Sequence, residues 1–201
     1  KQTGCRVSSV RSPGDDFDSL KTALQNCLAS DLVVTTGGAS VGDKDYTKEV
    51  LAALGAKPVF EKVAIKPGKP TSLYTVGSKY VLMLPGNPLA AAVNFELFGK
   101  ALIWHLQNRS SKFPKPISIA LGAPVEKKKG KDTLVLGTLE ESGFIPLSLQ
   151  LPGMVKPLAQ ADAFILMSSE LSGLDKGAQV KVFLLHHTLF SPVPGDIITK
   201  E

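Results

Sequence analysis

The sequence predicts an α/β fold, an open and mostly parallel sheet with flanking helices, followed by a small all-β, barrel-like domain. Two observations predict it. Through residue 107, short apolar runs alternate with helical stripes, in the order expected of strands joined by helices in layers. Beyond residue 116 no helical stripe of length remains, and short apolar runs are parted by Gly, Pro and charge.

The elements follow in order. Residues 5–10 alternate loosely and suit a short strand. Asp15 or Asp16, after the turn at Pro13-Gly14, is placed to cap a helix over 17–29 whose stripe is Phe17, Leu20, Leu24, Cys27 and Leu28. Residues 31–35 form a β-branched run of the kind buried in parallel sheets. A helix is expected over 46–54, a strand over 57–65, and a hairpin of 71–76 with 80–84 turning at Gly77-Ser78. A long helix is expected over 88–107, with Pro88 in its first turn, where a missing N–H costs nothing. Strands are expected over 117–121, 133–139, 143–147, 163–167 and 180–185. The division is then 1–109 for the α/β domain, which reads as truncated at its start, 110–116 for a linker, 117–187 for the β domain and 188–201 for an extended tail.

Bulk properties narrow the function. Of 201 residues, 43% are hydrophobic, enough for a packed core. The net charge of +5 favours an anionic ligand without demanding one. The lysine run 127–131 lacks the interleaved aromatics of a single-strand binding surface and reads as a solvated hairpin tip, so no nucleic acid is expected. No apolar stretch of about 18 residues is present, so no membrane span is expected. Cys5 and Cys27 make no disulfide framework, and His105, His186 and His187 have no metal-ligand spacing.

Three loops carry the chemistry. Residues 36–45 follow a parallel strand, where open α/β sheets bind ligands. There Gly37 and Gly38 let backbone N–H groups approach an anion, Thr36 and Ser40 add hydroxyls, and Asp43 and Asp45 are spaced to share a hard cation such as Mg2+. Composition alone leaves open a helix cap beside a glycine turn. Lys66 and Lys69 flank a rigid Pro-Gly turn, either to hold anionic oxygens or as an exposed basic turn. Pro85, Gly86, Asn87 and Pro88 lead into a helix whose start either receives an anion or is a plain helix start.

These three motifs resemble, in order and near spacing, the molybdopterin molybdenumtransferase family, relatives of which include the gephyrin E domain. They are Thr35 to Asp45, Ala64 to Pro70 and Leu84 to Pro88. The resemblance implies a molybdopterin-binding fold and insertion of molybdate into adenylylated molybdopterin, with Mg2+ and release of AMP. It implies a cytoplasmic homodimer that meets molybdopterin adenylyltransferase and molybdoenzymes. By position it assigns Asp45, Asp15, Lys66 and Lys69 to catalysis. Thr36, Gly37, Gly38, Ser40 and Pro85 to Pro88 fall to pterin and phosphate binding and Asp45 to the metal, which the spacing alone lets Asp43 share. The chain departs from the pattern in lacking the upstream Gly-Asp-Glu-Leu loop and, near Gln150 to Met154, a serine-bearing turn. Two other readings stand beside this one: the related adenylyltransferase, which usually has no β domain, and a non-catalytic dimerisation or scaffold module.

Overall fold

The computed structural model describes residues 3–14, 16–37, 46–111, 113–148 and 156–185. The first region is built on a four-stranded sheet in the order β1-β5-β4-β2, from β1 (Leu32–Thr36), β2 (Lys57–Glu61), β4 (Ser72–Val76) and β5 (Lys79–Leu84). Helices α1 (Phe17–Cys27) and α2 (Tyr46–Ala53) cover one face. There Leu24, Val33, Val50, Leu51, Tyr74, Val81 and Met83 form one core. Asp16 caps α1, its carboxylate accepting the Ser19 N–H at 2.8 Å.

The expectation of a mostly parallel sheet is corrected here. Within this sheet only β1 and β5 are parallel, with Leu32 opposite Tyr80 and Thr36 opposite Leu84. The pairs β5–β4 and β4–β2 are antiparallel. The reason is connection length: parallel neighbours need a crossover of about a dozen residues, whereas β4 and β5 are joined by Gly77-Ser78 alone.

Two further expectations shift. The segment 5–10 is not a strand. Val7 and Val10, three apart, cannot share one face of a strand, and both are exposed, at 74% and 86%. The strand expected over 57–65 breaks at Lys62, whose φ is +63. The chain turns there, and β3 (Ile65–Lys66) leaves the first sheet to pair in parallel with β8 (Asp132–Glu140) in the second.

After β5, Asn87 caps α3 (Pro88–Asn94) by accepting the Ala90 N–H at 3.0 Å, with Pro88 in the first turn. A π-helical turn at Phe95–Gly99 joins α3 to α4 (Lys100–Leu106), so the long helix is interrupted but continuous.

The second region holds β6 (Ile117–Ala120), β7 (Val125–Glu126), β8, β9 (Gly143–Pro146), α5 (Lys156–Gln160), β10 (Ala163–Met167), β11 (Gly173–Leu174) and β12 (Gln179–Leu184). Its main sheet runs β3-β8-β10-β12-β6, with β9 beside β8, while β7 and β11 pair separately. The expected barrel-like closure is corrected too. Among the described residues no strand ladder joins the β6 and β9 margins, which touch through an isolated bridge between Leu121 and Phe144. Alternation along the strands explains the packing. Val135, Ala163, Ile165, Met167 and Val182 face one core with Leu121 and Phe144. Leu134, Leu136 and Phe164 face the other way and pack on Leu89 and Val93 of α3. The second sheet therefore has one face against its own loops and one against the helix that carries the Pro85–Pro88 loop.

Candidate functional site

The site is organised by the parallel pair. Because β1 and β5 run the same way in register, their carboxyl ends lie side by side, and each feeds a loop. Thr36 is exposed at the end of β1, and the Gly37 N–H donates to Leu84 O at 3.3 Å. Gly37 has φ +86, a conformation that side chains with a Cβ rarely adopt. A Cβ on Gly86 would stand 3.3 Å from Gly37 Cα, so the two loops pass in van der Waals contact. Pro85 is buried, Gly86 and Pro88 are exposed, and Asn87 is half-buried, with its side-chain oxygen used on the Ala90 N–H. The Thr35 hydroxyl, immediately before Thr36, is buried with no partner among the described residues. Thr36 and Gly37 stand on a wide groove of about 1630 Å³ between β1, α1, α4 and the segment 5–14.

The lysine turn is fastened to the same helix from its other end. Lys66 and Lys69 are exposed and make no ion pair among the described residues. The backbone between them is held. Thr71 donates both its N–H and its hydroxyl to Gly68 O, at 2.9 and 2.8 Å, and the Val63 N–H donates to Lys69 O at 3.0 Å. Asn94, at the last position of α3 and wholly buried, donates from Nδ2 to Pro67 O at 3.1 Å and to Ala90 O at 2.8 Å. Sequence reasoning misses Asn94. Its one signal there is a lone amide in the apolar run from Leu89 to Phe95.

Thus Thr36, Gly37, Pro85 and Gly86 come together, and Lys66 and Lys69 share α3 with them. About seven residues of helix, roughly 10 Å of rise, separate the two attachments. Asp15, Gly38, Ser40, Asp43 and Asp45 lie outside the described residues. Among the described residues no group of three His, Cys, Asp or Glu side chains could hold a metal. Asp43 and Asp45 do offer the hard oxygen donors that Mg2+ takes. His105 stands edge-on to Tyr80, at 6.3 Å between centroids.

Among the described residues, two carboxylates away from these loops titrate below their ordinary range. Asp16 is held down by the hydrogen bonds from Ser19. Glu61 is held down first by the Tyr74 hydroxyl and then by Lys48, whose ammonium lies 3.3 Å away. Both tie elements together: Asp16 starts α1, and Glu61 joins α2, β2 and β4.

A parallel strand pair whose adjoining loops meet over glycine backbones, joined through β3 to a mostly antiparallel sheet, defines an α/β domain with a β-sheet companion. The chain belongs to the molybdopterin-binding family. Residues 1–105 match the family model described as a probable molybdopterin binding domain, and residues 118–185 match the MoeA C-terminal region, domain IV. Similar curated proteins include molybdopterin molybdenumtransferase of Staphylococcus aureus strain COL, 31% identical over 92% of this chain and 45% of its own length. The Staphylococcus epidermidis protein of the same name, from strain ATCC 35984, is 32% identical over 94% of this chain and 46% of its own. The chain spans about half the length of these relatives. Among solved structures, the molybdopterin biosynthesis MoeA protein from Pyrococcus horikosii aligns with a TM-score of 0.73 at 29% identity, over 88% of this chain and 43% of its own. A molybdenum cofactor biosynthesis protein from Pyrococcus furiosus aligns at 0.66 and 22% identity, over 85% of this chain and 55% of its own, a likeness of fold. No helix among the described residues is long and apolar enough to cross a membrane.

Proposed function

We propose that the full gene product containing this chain inserts molybdate into adenylylated molybdopterin, releasing AMP and molybdenum cofactor. One observation carries the reading: a molybdopterin-binding domain over 1–105 is followed, in order, by a MoeA C-terminal region over 118–185. The second region also argues against the adenylyltransferase, which usually lacks it.

The roles follow from chemistry. Thr36, Gly37, Gly38 and Ser40, with Pro85, Gly86, Asn87 and Pro88, bind pterin and phosphate where the ends of β1 and β5 adjoin. Lys66 and Lys69 face the anionic oxygens and offset charge as the adenylate is cleaved. Asp45, with Asp43, would hold Mg2+, whose chemistry is to neutralise phosphate and molybdate oxygens. Asp15 takes a catalytic role by its position in the family pattern. The product works in the cytoplasm as a homodimer that receives its substrate from the adenylyltransferase and passes its product to molybdoenzymes. Within this chain, 1–109 and 117–187 are the two units and 110–116 joins them.

The test is an assay of the full-length protein with adenylylated molybdopterin, molybdate and Mg2+, following AMP. Molybdate-dependent AMP release supports the proposal. Formation of adenylylated molybdopterin from ATP would favour the adenylyltransferase, and no turnover by a folded dimer would favour a scaffold.

A further inference from the structure

We propose that Asn94 is a positioning residue: it fastens the turn bearing Lys66 and Lys69 to α3 and so sets where both lysines meet the oxygens of the ligand. The proposal rests on the reading of those lysines as anion-holding groups.

Asn94 is 0% exposed, and its Nδ2 is shared between two backbone carbonyls from different elements, Pro67 O in the turn and Ala90 O in α3. Two acceptors converging on one end of the amide fix which end is nitrogen, because the reversed amide would set oxygen against oxygen. Gly68 lies flat on this amide. A Cβ there would overlap Nδ2 and stand 2.6 Å from Asn94 Cγ. On the other side Thr71, also 0% exposed, donates its hydroxyl to Gly68 O. The backbone of the turn is thus gripped from two sides, while the lysine side chains on either flank are exposed. A lysine ammonium rides on a flexible four-carbon stem, so the protein controls its reach chiefly through where its Cα is held.

The other half of the amide argues that this contact is more than filling. Asn94 Oδ1 is buried with no partner among the described residues. A buried unpaired acceptor is costly, and an apolar side chain of similar volume would avoid that cost in this apolar stretch of helix. What leucine could not supply is the donor to Pro67 O.

The test uses the full-length protein and steady-state kinetics with adenylylated molybdopterin. Asn94→Leu keeps the volume and removes the donor. Its KM for adenylylated molybdopterin is expected to rise about tenfold, the equivalent of about 1.4 kcal/mol. The decisive readout is coupling. In the triple variant Asn94→Leu/Lys66→Ala/Lys69→Ala, KM should be no higher than in Lys66→Ala/Lys69→Ala, because both lysines being positioned are gone. A merely structural role predicts that the two effects multiply, and that result overturns the proposal. An unchanged KM in Asn94→Leu also overturns it. If Lys69→Ala and Lys66→Ala themselves leave KM unchanged, the reading of the lysines has failed and the proposal falls with it. Should Asn94→Leu not fold by circular dichroism, Asn94→Ala removes the same donor and carries the same test, with an unchanged KM again the overturning result.

Discussion

At the scale of single residues, space and charge give separable predictions. Gly68 has φ +131 and no room for a Cβ beside Asn94, whereas Gly77 has φ +56 and no heavy atom within 4 Å of where a Cβ would stand. Strain and overpacking each cost about 1–3 kcal/mol, so Gly68→Ala should lose roughly the sum and Gly77→Ala only the conformational part. Urea unfolding of the two variants checks the difference, and equal losses would mean that Asn94 yields. Glu61 gives a pH dependence. Its carboxyl titrates lower in the folded protein than in the unfolded chain, because Tyr74 donates to it and Lys48 stands beside it. The contribution is therefore fully present above the ordinary glutamate range and is lost as pH falls through the lowered value. Since both charges are more than 40% exposed, it amounts to about 1 kcal/mol or less. Glu61→Gln should be less stable than the parent at neutral pH, with the difference vanishing in acid.

At the scale of elements, the joined helices α3 and α4 do most of the organising. Their π-helical turn carries Glu96, paired to Lys100, whose side chain is 7% exposed. Removing one partner of a buried pair strands the other charge at a cost of about 3–5 kcal/mol, whereas replacing both by apolar groups is near neutral. Glu96→Gln should therefore destabilise strongly, somewhat below that range because Glu96 is 21% exposed, and Glu96→Leu/Lys100→Met much less. Chemical unfolding of both reads this directly. Elements of this kind are legible in the sequence wherever one local rule decides them. Pro88, suited to a first turn, announces the start of α3, and the run from Ala163 to Met167 announces β10. Sheet direction is not legible from alternation alone. It depends on connection length, and the two-residue link at Gly77-Ser78 outweighs the α/β pattern. Barrel closure fails for a similar reason: alternation shows that strands bury faces, not whether the last meets the first. The loops of the site can be read from glycines, prolines and charges, but Asn94 cannot, because its partner Pro67 is 27 residues away.

At the scale of the whole molecule, the two regions are joined more closely than their compositions imply. β3 pairs with β8, and Leu89 and Val93 of α3 share a core with Leu134, Leu136 and Phe164. Trypsin should cut first in 110–116, where Lys112 offers a site, yet the two pieces should remain together on gel filtration because that core is not severed. First cleavage inside 46–100 would contradict the division. The proposed function makes a single chemical claim, that the residues following β1 and the lysine turn act together in inserting molybdate. Asp45→Asn in the full-length protein tests it most directly, with AMP release, Mg2+ dependence and affinity for adenylylated molybdopterin measured on one preparation. Asn serves as a helix cap nearly as well as Asp, so stability is expected to hold. The account predicts that most molybdate-dependent turnover is lost and Mg2+ dependence weakens, while affinity changes little; normal turnover with normal Mg2+ dependence would contradict it.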